Sequence, residues 1–431
     1  MLSRFRFLMI VFSVAVVPGC SDGPVAVRRD QSTMPSALPV NALNAANSVL
    51  LGDELFNDVD LSVHRNQSCA TCHEPSEGFA AARSGVPVLG SAIQGSVAGK
   101  FGARKPPTAA YATLTPAFSA RNGGVGGLFW DGRATGAVLG TPAADQALGP
   151  FLNPVEQALP DAACLVYRVR HSSYVNLYLA AWNGDILSIA FPSNVETTCS
   201  TPVAVAGNYV TLSAADRQRV TAAYHNAARS VADYEATFNK FSSAADAGTL
   251  TPLEREGLKL FSTKAKCQQC HTNKDVGAVF TDFRFHNLGV PRNPANIAFN
   301  YNTGAFDPGL GGVTGNTAHL GKFRTPTTRN VDVGVNRSYM HNGVLKSLKQ
   351  VVDFYNTRDV LRTCSAQEVA SLHPSQYGSY DPDGPGPLTA AGCWPAPEYP
   401  QNMDTKQMGA LGLTDAQVDA IVAYLKAMSD R

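Results

Sequence analysis

Apolar positions along this chain recur at helical spacing in a few short stretches, and long segments rich in Gly and Pro separate them. The clearest stretch opens at Thr251-Pro252-Leu253-Glu254. Thr251 suits an N-cap, Pro252 suits the first helical position and Glu254 completes a capping box. The pattern predicts a helix that carries Leu258 and Phe261 toward Cys267. A second box, Thr414-Asp415-Ala416-Gln417, predicts a terminal helix with Val418, Ile421, Val422 and Leu425 on one face. Ser213 to Phe241 reads as a long helix or a helix pair joining two parts of the chain. Clean strand alternation is scarce. The expected fold class is mainly α, with long loops and little β. A large buried cofactor can order such a chain, because anything bound only by the folded state stabilises it.

The length, 431 residues, exceeds one ordinary core and favours two domains. A weak internal repeat supports that division. Gly52-Asp53-Glu54-Leu55-Phe56 and Gly257-Leu258-Lys259-Leu260-Phe261 each precede a Cys-rich motif, so G-x-x-L-F introduces both halves. The expected boundaries are a leader over 1–20, a flexible tether over 21–45, one domain over 46–245 and a second over 246–431. The leader is read from Arg4 and Arg6 followed by the apolar run Phe7 to Val17, too short to span a bilayer comfortably. It ends in Val17-Pro18-Gly19-Cys20, which resembles a bacterial lipobox with Cys20 as the lipidated residue. Ser21 after it fits an outer-membrane lipoprotein; ordinary cleavage nearby is the alternative. Either way the expectation is export to the periplasm, with the membrane touched only through an N-terminal lipid anchor. Residues 21–45 are rich in Pro, Ala, Ser and Asn, so order is expected from near Ala46.

Composition adds little: 44% hydrophobic and 16% charged residues are a soluble globular balance, and a net charge of +1 argues against a nucleic-acid partner. The nine cysteines add more. Cys69 and Cys72 sit in CATCH at 69–73, and Cys267 and Cys270 in CQQCH at 267–271. Beyond these and Cys20 remain Cys164, Cys199, Cys364 and Cys393. In an oxidising compartment local pairing would give Cys164–Cys199 and Cys364–Cys393; four free buried thiols are the alternative.

Cys-x-x-Cys-His is the attachment signature of c-type haem. The two thiols add across the haem vinyl groups and the adjacent imidazole ligates the iron, which assigns His73 and His271 as axial ligands. A thioredoxin-like redox pair would need a βαβ context, and a zinc site would need further ligands at metal spacing. Two covalently bound c-type haems are the expected cofactors.

FWDGRA at 129–134, GPFLNPVE at 149–156, FRFHNLGV at 283–290, FRTPTTRNV at 323–331 and YMHNG at 339–343 follow in order around the two haem motifs. Together they resemble the bacterial di-haem cytochrome c peroxidases and their MauG-like relatives over most of the chain from about residue 46. The resemblance implies two cytochrome c-like haem domains, the N-terminal one reacting with peroxide and the C-terminal one transferring electrons. It puts the inter-haem charge carrier on Trp130, and the distal glutamine and glutamate of the peroxide site on Gln146 and Glu156. The chemistry suits them: a carboxylate can take a proton from one peroxide oxygen and return it to the other, and an amide can orient the peroxide.

Two departures from the peroxidases stand out. No histidine occurs in residues 74–103, where their resting N-terminal haem takes a distal ligand, so the His73 site is expected open. The methionine that closes their C-terminal haem is replaced by Tyr355 in Ser347-Leu348-Lys349-Gln350-Val351-Val352-Asp353-Phe354-Tyr355-Asn356, as in MauG-like members. A phenolate is a hard anionic donor and should lower the potential that a thioether raises. Met340, Met403 and Met408 are rivals, Met340 first because it adjoins His341. His286 and His341 are expected near the second haem, His286 alternatively as a satisfied buried histidine. The family's calcium between the domains takes its side-chain ligand from an Asn after R-x-x-P-T. After Arg104-Lys105-Pro106-Pro107-Thr108 this chain has Tyr111 instead, leaving backbone oxygens near Asn336 and Ser338, and calcium stays open. The implied function is a peroxidase reacting with hydrogen peroxide and oxidising either a partner protein in MauG-like fashion or a small cytochrome or cupredoxin. A non-enzymatic di-haem carrier is the competing class.

Overall fold

The computed structural model describes residues 40–272, 278–296, 304–371 and 392–431. The expected leader, Cys20 and the tether up to Pro39 lie outside the described residues. Val40–Arg431 forms one compact unit. Its helices are α1 (Val40–Asn57), α2 (Cys69–Cys72), α3 (Pro142–Leu152), α4 (Ala162–Arg170), α5 (Val175–Trp182), α6 (Val195–Cys199), α7 (Ala214–Glu235), α8 (Pro252–Ser262), α9 (Leu310–Thr314), α10 (Leu348–Thr357), α11 (Ala366–Ser371) and α12 (Asp415–Lys426). The paired strands among the described residues are two residues long. β1 (Val88–Leu89) pairs with β2 (Ala92–Ile93) and β3 (Phe285–His286) with β4 (Phe323–Arg324), both antiparallel. β5 (Arg362–Thr363) runs parallel to β6 (Cys393–Trp394).

The expected caps form. Thr251 and Thr414 each make a reciprocal box with Glu254 and Gln417, and the Ser213 hydroxyl accepts from the Asp216 amide to start α7. One start differs: α1 begins at Val40, inside the segment expected to be a tether to residue 45. Ala42, Leu43, Ala45 and Ala46 are strong helix formers, which outweighs the linker-like composition.

Helices α1, α3, α4, α5 and α7 enclose one apolar core with Leu51, Leu55, Phe56, Phe151, Leu165 and Val231. Helices α8, α10 and α12 enclose another with Leu260, Phe261, Val352, Val418, Ile421 and Tyr424. The G-x-x-L-F repeat marks the same crossing in each. A Cβ on Gly52 would lie 1.9 Å from the Ser230 carbonyl oxygen of α7, and one on Gly257 would lie 2.0 Å from the Ala420 carbonyl oxygen of α12. The Tyr four residues on meets the repeat's Phe edge to face in both, Phe56–Tyr234 at 5.5 Å and Phe261–Tyr424 at 5.4 Å between ring centres. Only glycine lets two helix backbones come this close. Each pair therefore holds the loop that follows, and with it the Cys-x-x-Cys-His motif, at a set distance from its core. The described cysteines outside the motifs pair locally as Cys164–Cys199 and Cys364–Cys393.

Candidate active site

Two internal cavities carry the two motifs. The first, about 430 Å³, is lined by Cys69, Cys72 and His73 together with Gln146, Glu156 and Trp130. Both thiols are free, whereas the four described cysteines outside the motifs are in disulfides. Burial pushes the Cys69 and Cys72 thiols up, Cys72 to about 12, so they sit there as neutral thiols. The ring of His73 is fixed by a 2.8 Å hydrogen bond between Nδ1 and the Phe79 carbonyl oxygen. With Nδ1–H as donor, Nε2 is left unprotonated as the ligand atom, and burial, which lowers its pKa, keeps it so. Well-packed interiors leave few voids of this size, and thiols beside an oriented neutral imidazole are the donor set of a c-type haem, so these residues fit that group.

Helix α3 and the turn after it furnish the opposite wall. Thr141 caps the helix and Pro142 opens it, placing Gln146, Ala147 and Pro150 on the cavity. Asn153 then builds the turn that aims Glu156. Its Oδ1 accepts from the Val155 amide at 3.2 Å, its carbonyl accepts from the Glu156 amide at 2.9 Å, and its Nδ2 donates to Glu156 Oε1 at 2.8 Å. Burial raises the Glu156 pKa above the usual carboxyl range, opposed by Arg133 and by the Asn153 amide. The group is thus poised to hold a proton or release it.

The second cavity, about 160 Å³, is lined by Cys267, Cys270 and His271. His271 repeats the arrangement of His73, with Nδ1 2.9 Å from the Phe280 carbonyl oxygen and its pKa lowered by burial. Two of the matched stretches pair here as β3 and β4, with His286 opposite Phe323. Helix α10 presents Leu348, Val351 and Tyr355, one helical face, to the cavity. Burial raises the Tyr355 pKa, and among the described residues no hydrogen bond reaches its hydroxyl. Met340 and Met408 also line this cavity, whereas Met403 packs instead against Gly289. His286 is satisfied between carboxylates, Nδ1 to Asp404 at 2.6 Å and Nε2 to Asp282 at 3.1 Å; against burial, which alone would lower it, these push its pKa up to about 12. His341 stacks on Phe323 at 3.5 Å, and its Nε2, unpartnered, lies 3.7 Å from the equally unpartnered Oε2 of buried Glu398.

Trp130 lines both cavities. It sits in a tight reversal closed by the Leu128–Ala134 bridge, with positive φ at Phe129 and Gly132. Its indole N–H donates to the Lys105 carbonyl oxygen at 2.7 Å, and its own carbonyl accepts from the Arg324 amide at 2.9 Å. Arg104 braces this turn, bonding Asp131 at 2.6 Å and Asp307 at 2.6 and 2.7 Å.

Sequence reasoning missed several wall residues. Glu235, one helical turn after Val231 on α7, faces the first cavity, and burial pushes its carboxyl up to about 8. A lone Glu following the apolar face Ala227, Ala228, Val231 was the available signal. Arg133 and Asn153 lay within the matched stretches without a role of their own, and Asp307 gave no signal. Lys105 was quoted only as part of a calcium motif.

The family model for di-haem cytochrome c peroxidase matches residues 46–249. Methylamine utilization protein MauG of Paracoccus denitrificans (strain Pd 1222) is 33% identical over 399 residues, 88% of each chain. Cytochrome-c peroxidase IdrP2 of Denitromonas iodatirespirans is 28% identical over 376 residues, 82% of this chain and 83% of the other. The crystal structure of the diheme peroxidase BthA from Burkholderia thailandensis E264 superposes with a TM-score of 0.64 at 27% identity, covering 89% of this chain and 86% of that one. A mainly helical fold with two motif-bearing cavities and a relative this similar along its length identify the chain as a member of the di-haem cytochrome c peroxidase family, oxidoreductases with two c-type haems.

Proposed function

We propose that this chain is an exported di-haem enzyme that consumes hydrogen peroxide at the His73 cavity and draws the electrons, by way of Trp130, from a partner protein oxidised in MauG-like fashion. The haems would be held through Cys69, Cys72 and His73 and through Cys267, Cys270 and His271. They supply the one-electron chemistry of iron, with an open position at the first site. The chain's own residues do the rest. Glu156 takes a proton from one peroxide oxygen and delivers it to the other, Gln146 orients the peroxide by its amide, and Asn153 keeps the carboxyl aimed. Trp130 offers an aromatic ring in contact with both cavities. Tyr355 closes the second site as an anionic oxygen ligand, and bound iron would pull its pKa down from the raised value that burial imposes.

The observation that carries the reading is the pair of unlike sites. The first has a wall with Glu156 and Gln146 and no histidine in residues 74–103; the second has a Tyr355 hydroxyl that no hydrogen bond reaches among the described residues. Arg4, Arg6 and the apolar run to Val17 support export, and Cys20 a lipid anchor. Stopped-flow absorbance with peroxide and no donor tests the first site. A fast optical change is expected, slowed 10²- to 10⁴-fold (about that range for one proton carrier) in Glu156→Gln; equal rates would remove Glu156 from the reaction. Tyr355→Met should raise the second haem's potential, and an unchanged potential and ligand field would transfer the ligand role to Met340 or Met408. Rapid steady turnover with a reduced soluble c-type cytochrome would favour the small-donor peroxidase instead.

A further inference from the structure

The family's calcium does not fit here, and one side chain stands in its way. Tyr111, at the position expected to furnish the ligand, donates its hydroxyl to Asp430 at 2.6 Å and accepts from the Phe241 amide at 3.0 Å. The Arg329 guanidinium lies 5.1 Å from its ring centre. Between the two large cavities is a third, about 90 Å³, lined among others by Lys105, Arg329, Arg337, Ser338, Glu77 and Trp130. Its lining is basic. Glu77 is committed, accepting from the Val335 and Asn336 amides at 2.9 Å each and from Asn336 Nδ2 at 3.1 Å. A divalent ion needs six to eight oxygen ligands, usually with carboxylates among them; here Asp246 and Asp332 are already paired with Arg329 and Arg337, and the ion would face the Lys105 ammonium.

Lys105 accounts for the arrangement. Its Nζ donates to the carbonyl oxygens of Ala80 at 2.9 Å and Pro106 at 3.0 Å, and among the described residues no carboxylate pairs with it. An amine enclosed without a counter-charge is costly and calls for a reason. Its backbone ties it to both sites. The Lys105 amide donates to the His341 carbonyl on the second cavity at 2.9 Å, and the Lys105 carbonyl accepts the Trp130 indole proton at 2.7 Å. One residue therefore joins the second cavity, the shared tryptophan and a charged head seated on backbone oxygens. Burial and the Lys346 ammonium push its pKa down to about 8, which leaves it charged at neutral pH.

We infer that Lys105 is a built-in cation: its ammonium takes the place of an exchangeable calcium ion at the junction between the two haem sites and adds positive charge at the His73 cavity, while its backbone holds Trp130. The potential below rests on the two-haem reading of the cavities; the metal analysis does not, so the two can fail separately.

The test uses the purified holoprotein. Elemental analysis should find well under one calcium per chain, and EGTA should leave the Tm and the optical spectrum unchanged. In Lys105→Met the midpoint potential of the first site should fall, because the positive charge on the His73 cavity is lost, and Lys105→Arg should keep it near wild type. One tightly held calcium per chain whose removal by EGTA shifts the spectrum or Tm would overturn the inference. So would a wild-type potential at the first site in Lys105→Met. If Lys105→Met does not fold, the calcium content and EGTA response of the wild type still decide.

Discussion

The Arg329–Asp246 pair allows a quantitative check on how the middle of the molecule is held. Arg329 is among the largest fully buried side chains. Its guanidinium donates to Asp246 at 2.8 and 2.7 Å and to the Ala278 carbonyl at 2.7 Å, with the rings of Phe241, Tyr111 and Phe280 centred 4.7, 5.1 and 5.3 Å away. Asp246→Ala would strand that charge. Removing one partner of a buried pair costs about 3–5 kcal/mol. The Asp246 side chain is 17% exposed against 1% for Arg329, so water can enter the vacated space and the expected cost is roughly 2–3 kcal/mol. For a unit of this size that is a fall of about 3 °C in Tm. Acid supplies an independent route. Hydrogen bonding from Arg329 holds the Asp246 carboxyl down, to about 2 from the ordinary 3.8. A depressed carboxyl contributes stability that is present above 3.8 and lost as pH falls through about 2. The gap has a ceiling of about 2.5 kcal/mol, which solvent screening of the partly wet carboxylate cuts to roughly 1–2 kcal/mol. Calorimetry of wild type and Asp246→Ala should therefore show a Tm gap at pH 7 that narrows as pH drops below 3.8. Arg329→Met added to Asp246→Ala should recover part of the loss, since no stranded charge remains. Strict additivity in that cycle, or a gap independent of pH, would refute the reasoning.

Gly257→Ala should destabilise by about 3 kcal/mol or prevent folding, because the new methyl would sit 2.0 Å from the Ala420 carbonyl oxygen; thermal melts and soluble yield report it. Trp130→Phe should lose about 1 kcal/mol with the indole hydrogen bond and slow electron exchange between the haems, read by rapid-mixing absorbance at two wavelengths. If Glu156 is the base, the peroxide rate should fall with acid through a titration lying above the ordinary carboxyl value, because burial raises its pKa, and Glu156→Gln should abolish that titration; the same titration persisting in Glu156→Gln would count against it.

What the sequence disclosed was local. A cap is made within four residues, so Thr251, Ser213 and Thr414 could be read directly, and a haem motif is contiguous. The turn at Asn153 was legible as a turn, but its hold on the Glu156 carboxylate was not. Long-range partners were hidden in the same way. Nothing near Gly52 points to Ser230, and Arg104 meets Asp307 across 203 positions. Glu235 escaped notice because one acid at the end of a long helix looks like surface until the helix is packed. The early start of α1 was misread because Ala and Asn serve linkers and helices alike.

The doubled glycine crossing bears on how this chain can change over time. Where helices meet through side chains, each substitution in the interface nudges their spacing. At Gly52 and Gly257 the backbones themselves touch, so there is no side chain to vary and no spacing to drift. The apolar residues around each crossing can be exchanged while the two motif loops stay in register with each other and with Trp130. Substitutions in the walls of the cavities, where Tyr355 and Lys105 sit, can then alter each site without moving the frame that sets the two apart.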